Sequence, residues 1–259
     1  MGEFLWIADG SCVGLSVRKP VLVAEVPDLP VEPLDFFAAL LESARFVERN
    51  AGRSVAWLGF SDAQGEEVTA LDRLFAFVEV VRRKCASCGC TSVTYERKTS
   101  LRFLVPSCVG HSSCVHDAFL EYCAPRSGVL ASCCRCRGDC EHTEQRELLT
   151  LPEILLVGLA RTSNTDSLTR YRFCVDEQIS LPRLDGLTLS GILFHLGKSR
   201  SVGRYACAAR GPDGRFWFFD DAREPVPVPK VAGFFERNVD ALIYTTLAVE
   251  AGWRRTAHW

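Results

Sequence analysis

The chain predicts an α+β fold built around an antiparallel sheet, and three observations carry that prediction. Apolar segments of strand length recur between residues 154 and 247, parted by turn chemistry. Helical apolar spacing is confined to two stretches, one at 33–47 and one starting at Thr69. Between these regions lies a segment rich in cysteine and short on continuous apolar sequence, suited to small strands held together by something other than a large core.

Taken in order, residues 1–31 are rich in Val and Pro and read as an extended segment ending at Pro27-Asp28-Leu29-Pro30. Pro33 suits the first turn of a helix. Leu34, Phe37, Leu41 and Ala44 follow at helical spacing, with Phe36, Leu40 and Val47 widening the apolar stripe. Thr69 followed by Asp72 resembles a capping box and starts a second helix. From Phe77 to Lys84 the pattern becomes strand-like, with further short strands at 92–96 and 101–105. Ile154-Leu155-Leu156-Val157-Gly158-Leu159 is apolar without alternation, which fits a strand covered on both faces. Strands are then expected at 170–175, 187–195, 203–210, 215–219 and 240–247. Gly211-Pro212-Asp213-Gly214 should join two of them as a turn, because Pro fixes φ and Gly permits positive φ.

Composition narrows the function classes. The 259 residues carry a formal charge of −2 and are 47% hydrophobic, which suits a packed globule and gives no basic excess for a nucleic-acid partner. No apolar run approaches the roughly 20 residues of a membrane span. The N-terminus lacks a basic signal-peptide region, and Trp6 stands where a myristoylation motif has Ser or Thr. The expected location is therefore intracellular, cytoplasmic or nuclear, with no membrane partner. In that reducing setting thirteen cysteines are not a disulfide framework.

Ten of those cysteines fall within residues 85–145. Cys85-x2-Cys88 and Cys133-x2-Cys136 form two knuckles 44 residues apart. Two such knuckles clamp a structural Zn²⁺ with four thiolates at about 2.3 Å. Cys90, Cys134 and Cys140 are near enough in sequence to replace one of the four, and ordinary reduced cysteines are the alternative to metal. His111, His116 and His142 lie close by but read as surface residues. Cys108, Cys114 and Cys123 read as buried thiols, and Cys174 and Cys207 as strand residues.

The C-terminal half carries a more specific pattern. Leu189-Ser190-Gly191-Ile192-Leu193-Phe194-His195-Leu196-Gly197 precedes Gly203-Arg204-Tyr205, and Gly214-Arg215-Phe216-Trp217-Phe218-Phe219-Asp220-Asp221 follows. This resembles the C-terminal signature of the ubiquitin-specific proteases, the papain-like cysteine deubiquitinases. Leu34-Asp35-Phe36-Phe37-Ala38-Ala39-Leu40-Leu41-Glu42, Arg83–Cys88 with Thr94-Tyr95-Glu96, and Leu151–Arg161 resemble other segments of that family, in the family's order. The resemblance implies a papain-like fold with an antiparallel palm sheet, β-rich zinc-binding fingers and a truncated helical thumb. It divides the chain into a thumb remnant at 1–76, fingers at 77–150 and a palm at 151–259.

The same resemblance puts Asp220 where the family has the residue that orients the catalytic base, with Asp221 as its neighbour. Arg204 stands where the family has the base histidine. A guanidinium stays protonated at physiological pH and cannot accept a proton. The family's N-terminal nucleophile box is not found ahead of residue 33, and Cys12 is the one N-terminal candidate. His195 matches a second family histidine and reads as buried and satisfied. Gly203, Tyr205 and His195 are expected to line the cleft that takes a ubiquitin tail.

Three functions compete on this reading. The first is a catalytically degenerate protein that binds ubiquitin or a ubiquitinated partner without cleaving it. The second is an active cysteine hydrolase with Cys12 as nucleophile. The third is a zinc-stabilised adaptor that has abandoned ubiquitin.

Overall fold

The computed structural model describes residues 5–8, 11–14, 34, 35, 37–41, 44, 70–105, 113–161, 172–181, 184–197, 199, 202–221, 223–228 and 235–246. The chain divides into two compact units, Met1–Val31 and Glu32–Trp259. The first holds an antiparallel hairpin of β1 (Leu5–Ala8) and β2 (Ser11–Gly14), in which Ile7 pairs with Cys12.

The second unit is organised by two sheets. The larger contains β5 (Ser100–Leu104), β9 (Ile154–Ala160), β11 (Gln178–Leu181), β12 (Leu184–Gly197), β13 (Gly203–Arg210), β14 (Phe216–Phe219), β15 (Val226–Val228) and β16 (Val239–Thr246). Its order is β15-β14-β13-β12-β16-β9-β5, with β11 also on β12; all pairs are antiparallel except β5 with β9. The smaller sheet has the order β4-β3-β8-β7, from β3 (Phe77–Cys85), β4 (Thr91–Lys98), β7 (Arg126–Cys133) and β8 (Gly138–Leu148). Two-residue strands β6 (Ser113–Cys114) and β10 (Phe173–Cys174) pair in parallel beside them.

Helices only dress this framework. They are α1, the helical positions within 34–44, α2 (Ala70–Phe75) and α3 (Val115–Cys123). The described residues are thus predominantly strand, and this corrects the expected α+β papain-like fold with a helical thumb. Within the stripe at 33–47 the described residues give eight helical positions and α2 six residues, too little to form a helical layer among the described residues. Two long strands, β7 and β8, lie in the segment expected to be β-rich fingers, at positions where no individual strand is expected. Within residues 77–150, β5 joins the large sheet and α3 packs against its core. No helix among the described residues is long and apolar enough to cross a membrane.

The unbroken apolar run of β9 has a direct cause. Leu155, Val157 and Leu159 enter the main core with Phe103, Phe119, Leu189, Phe194 and Tyr244. Ile154 and Leu156 point the other way and meet Leu41 and Phe75, with Leu34, Phe37 and Ile243 packed alongside. A strand covered on both faces needs no polar alternation. The helices are also tied by charge: Asp35 of α1 pairs with Arg102 of β5, and Asp72 of α2 with Arg97 of β4. Thr69, the expected cap partner of Asp72, lies outside the described residues.

Most C-terminal strand expectations hold, including β12, β13, β14 and β16. The turn at 211–214 does as well: Gly211 N–H donates to the Arg215 carbonyl at 2.7 Å, and Gly214 sits at φ 79°.

Candidate functional site

Two groups of side chains stand out, one at the tip of the small sheet and one at the start of β13. At the tip, β3 runs into Cys85-Ala86-Ser87-Cys88, and β7 and β8 are joined by the turn that holds Cys136. The two turns are built alike. Gly89 N–H donates to the Cys85 carbonyl at 3.0 Å, and Arg137 N–H to the Cys133 carbonyl at 2.8 Å. Each closes with a left-handed residue, Gly89 at φ 70° and Arg137 at φ 57°. Glycine adopts that conformation freely, whereas arginine is strained there. Arg137→Gly is therefore expected to stabilise the protein by about 1 kcal/mol, read as a rise in denaturant midpoint. An unchanged or lower midpoint would contradict it.

These turns bring Sγ of Cys85, Cys88, Cys133 and Cys136 within 4.8 Å of one another. Cys85 and Cys136 are 3.9 Å apart, and Cys88 and Cys133 3.5 Å. A tetrahedron of thiolates at 2.3 Å from zinc has S···S edges of about 3.8 Å, so the quartet has the size of a metal site. Backbone N–H groups of Cys88 and Ser87 favour the Cys85 thiolate and bring its pKa to about 6. Those of Cys136 and Arg135 likewise lower the pKa of Cys133. Contacts with Cys88 and Cys133 push Cys136 the other way. Four thiols this close cannot all ionise alone, and a dication removes that conflict.

The alternatives left open by spacing are separated by position. Cys90 and Cys134 form their own pair at 3.8 Å, outside the quartet, and Cys140 bonds the Gly138 carbonyl. His142 is buried, not superficial as its sequence suggests, and its Nδ1 lies 2.8 Å from the Cys140 carbonyl. His116 is half-buried, and His111 and Cys108 lie outside the described residues. Cys114 caps α3, accepting from Asp117 N–H at 3.3 Å, while Cys174 and Cys207 lie on β10 and β13.

At the second place, Arg204 is the second residue of β13 and Asp220 directly follows β14. Arg204 donates Nε–H to Asp220 Oδ1 and Nη2–H to Oδ2, both at 2.9 Å. Arg223 adds a third bond to Oδ2 at 3.0 Å. The carboxylate is buried and the Arg204 side chain is half exposed. This forked pairing holds the Asp220 carboxyl below the usual carboxylate range, against the opposing effect of burial. A carboxyl lowered by folding adds stability that is complete above its unfolded pKa of about 3.9. That stability disappears as pH falls through the lower folded value. Asp220→Asn should accordingly flatten the acid limb of a plot of denaturant midpoint against pH, and an unchanged limb would contradict it.

The expected cleft lining, Gly203, Tyr205 and His195, shares one face of the sheet, and Arg204 lies on the other. In the β12–β13 ladder His195 pairs with Tyr205, and Leu196 with Arg204. Alternation along a strand thus sets His195 and Tyr205 on the face opposite Arg204. The His195 ring meets the Tyr205 ring edge-on, with centroids 5.1 Å apart. A Cβ at Gly197 would lie 2.1 Å from the Val202 carbonyl oxygen, and one at Gly203 2.7 Å from the His195 ring, so both positions exclude a side chain. His195 is buried as expected, but it is not satisfied: Nδ1 has no hydrogen-bond partner among the described residues. Burial lowers its pKa, favouring neutral imidazole. Cys12 is a strand residue of the separate 1–31 unit.

Sequence reading missed Glu79 and Arg161. Glu79 is fully buried and bonds Tyr122 OH, with Arg146 and Lys98 each at 3.5 Å. Arg161 donates to the carbonyls of Val239, Arg237 and Glu236, anchoring the turn that leads into β16. Nothing in local periodicity marks either residue. No protein-family model matches this chain, and no curated protein does.

Proposed function

We propose that this chain is a non-hydrolytic binding protein, a degenerate relative of the ubiquitin-specific proteases that holds ubiquitin or a ubiquitinated partner and carries a structural Zn²⁺ on Cys85, Cys88, Cys133 and Cys136. The observation that carries the loss of chemistry is the forked Arg204–Asp220 pair. Thiol hydrolysis needs a base that takes the nucleophile's proton and an acid that orients the base. Here the aspartate engages a cation that stays protonated, and no step of proton transfer can pass through it. The ordered family-like segments support ubiquitin as the partner class.

The binding surface fits the face of β13 that carries Tyr205. Tyr205 and Phe219 are exposed aromatics on that face, since Phe219 pairs with Cys207 two residues along, and exposed Val202 lies beside the strand's start. Aromatic anchors of this kind dominate protein interfaces. Titration of the zinc-loaded chain with ubiquitin is the test. Saturable binding is expected, weakened about tenfold or more by Tyr205→Ala. Absence of binding at millimolar ubiquitin would overturn the reading in favour of an adaptor for another protein. Arg204→His is expected to leave cleavage of a fluorogenic ubiquitin substrate at background. Robust thiol-dependent cleavage by that variant would reveal a nucleophile and refute the non-hydrolytic reading.

A further inference from the structure

The two knuckles that build the thiol quartet also bring together a second pair of sulfurs. Cys90 lies two residues beyond Cys88, and Cys134 directly follows Cys133, so each belongs to a different knuckle. Their Sγ atoms are 3.8 Å apart. Both lie outside the quartet, whose four sulfurs form a group without them. Cys134 is exposed and Cys90 half-buried, whereas Cys85 and Cys133 are buried.

From this arrangement we infer that Cys90 and Cys134 form a reversible disulfide, a redox modification site that joins the same two knuckles as the metal. The inference rests on the zinc reading of the quartet. Three facts support it. First, the sulfurs must close by only about 1.8 Å to reach the 2.05 Å of a disulfide. Second, the knuckles hold the pair in register: Cys85 N–H donates to the Cys90 carbonyl at 2.9 Å, and Arg137 N–H closes the turn containing Cys134. Third, the four ligand thiolates would have their electron pairs engaged by zinc, leaving as reduced thiols of the tip this pair and half-buried Cys140, whose Sγ bonds the Gly138 carbonyl.

The chemistry balances with a hydroperoxide as oxidant. The Cys134 thiolate attacks the peroxide oxygen; an S–O bond forms, the O–O bond breaks, and the alkoxide or hydroxide leaves and takes a proton. The Cys90 sulfur then attacks the Cys134 sulfur. An S–S bond forms, the S–O bond breaks, and hydroxide departs as water with the Cys90 proton. Two thiols are oxidised, and one peroxide is reduced to an alcohol, or water, and one further water. A dithiol reductant reverses the change by exchange.

The test treats the full zinc-loaded chain with one equivalent of hydrogen peroxide, blocks the remaining thiols with iodoacetamide and maps peptides by mass spectrometry. Zinc is measured before and after. The expected result is a crosslink between Cys90 and Cys134 with about one zinc per chain retained. Cys90→Ser and Cys134→Ser should each abolish the crosslink and leave zinc content unchanged. Crosslinks among Cys85, Cys88, Cys133 and Cys136, with zinc released in step, would overturn the inference. Retained zinc with no Cys90–Cys134 crosslink would overturn it as well. An untreated chain without zinc would overturn it by refuting the metal reading on which it stands, and the measurement made before oxidation tells these failures apart.

Discussion

Removing zinc from the reduced chain is expected to unfold the tip of the small sheet and leave the large sheet standing. Structural zinc contributes about 10–16 kcal/mol of apparent binding energy in zinc-finger peptides, and most of that is folding energy. The tip has little else to hold it. Strand β4 is exposed along most of its length and β7 nearly so, and the buried residues nearest the tip are Cys85, Cys133 and His142. The main core contains none of the four quartet cysteines. Chelation, or Cys88→Ser, should therefore open cleavage at Lys84, Arg135 and Arg137 in limited proteolysis while strands β9, β12 and β16 stay protected from hydrogen exchange. Metal analysis should find about one zinc per untreated chain and none in the variant. A chain that is metal-free when gently purified, with a Cys88→Ser variant of equal stability, would end the zinc reading.

The second large effect is expected at Glu79. Its carboxylate is fully buried where β3, β4, β8 and α3 meet, held by Tyr122, Arg146 and Lys98. Arg146 also stacks over the Tyr122 ring at 5.4 Å and bonds Glu144 at 2.9 Å. Burial raises the Tyr122 pKa to about 12, so the phenol remains a donor at every physiological pH. Removing one partner from a buried charge network leaves the others uncompensated, at a cost of about 3–5 kcal/mol. Glu79→Ala should lower stability by that amount, measured from denaturant midpoints at constant m. Arg146→Met added to Glu79→Ala should cost much less than it does alone, because the pair acts as a unit. Two fully additive losses would show that the network is not coupled.

How far the sequence reached can be followed at particular residues. The strands from 154 onward were legible because their signals are local: an apolar run too short for a helix, β-branched and aromatic enrichment, and the Pro-Asp-Gly turn. The candidate metal ligands were legible as a pattern, since two C-x2-C pairs suggest the same chemistry at any separation. Their selection over Cys90, Cys134 and Cys140 was not, because it depends on which sulfurs point inward from two turns 44 residues apart. Strands β7 and β8 were overlooked because polar and cysteine residues fill both faces of an exposed sheet, so alternation, the usual signal, is weak.

The sequence by itself determined the C-terminal strand-forming segments and the paired knuckles. Tertiary structure alone decided the balance of strand over helix, since β3 and β8, which pair at the centre of the small sheet, lie far apart in sequence. It also decided that His195 and Arg204 face opposite sides of one sheet, a consequence of register with period two. It decided the partner of Asp220 as well. A forked guanidinium reaches a carboxylate only when β13 and β14 are laid side by side, and that adjacency is a property of packing rather than of any local stretch of chain.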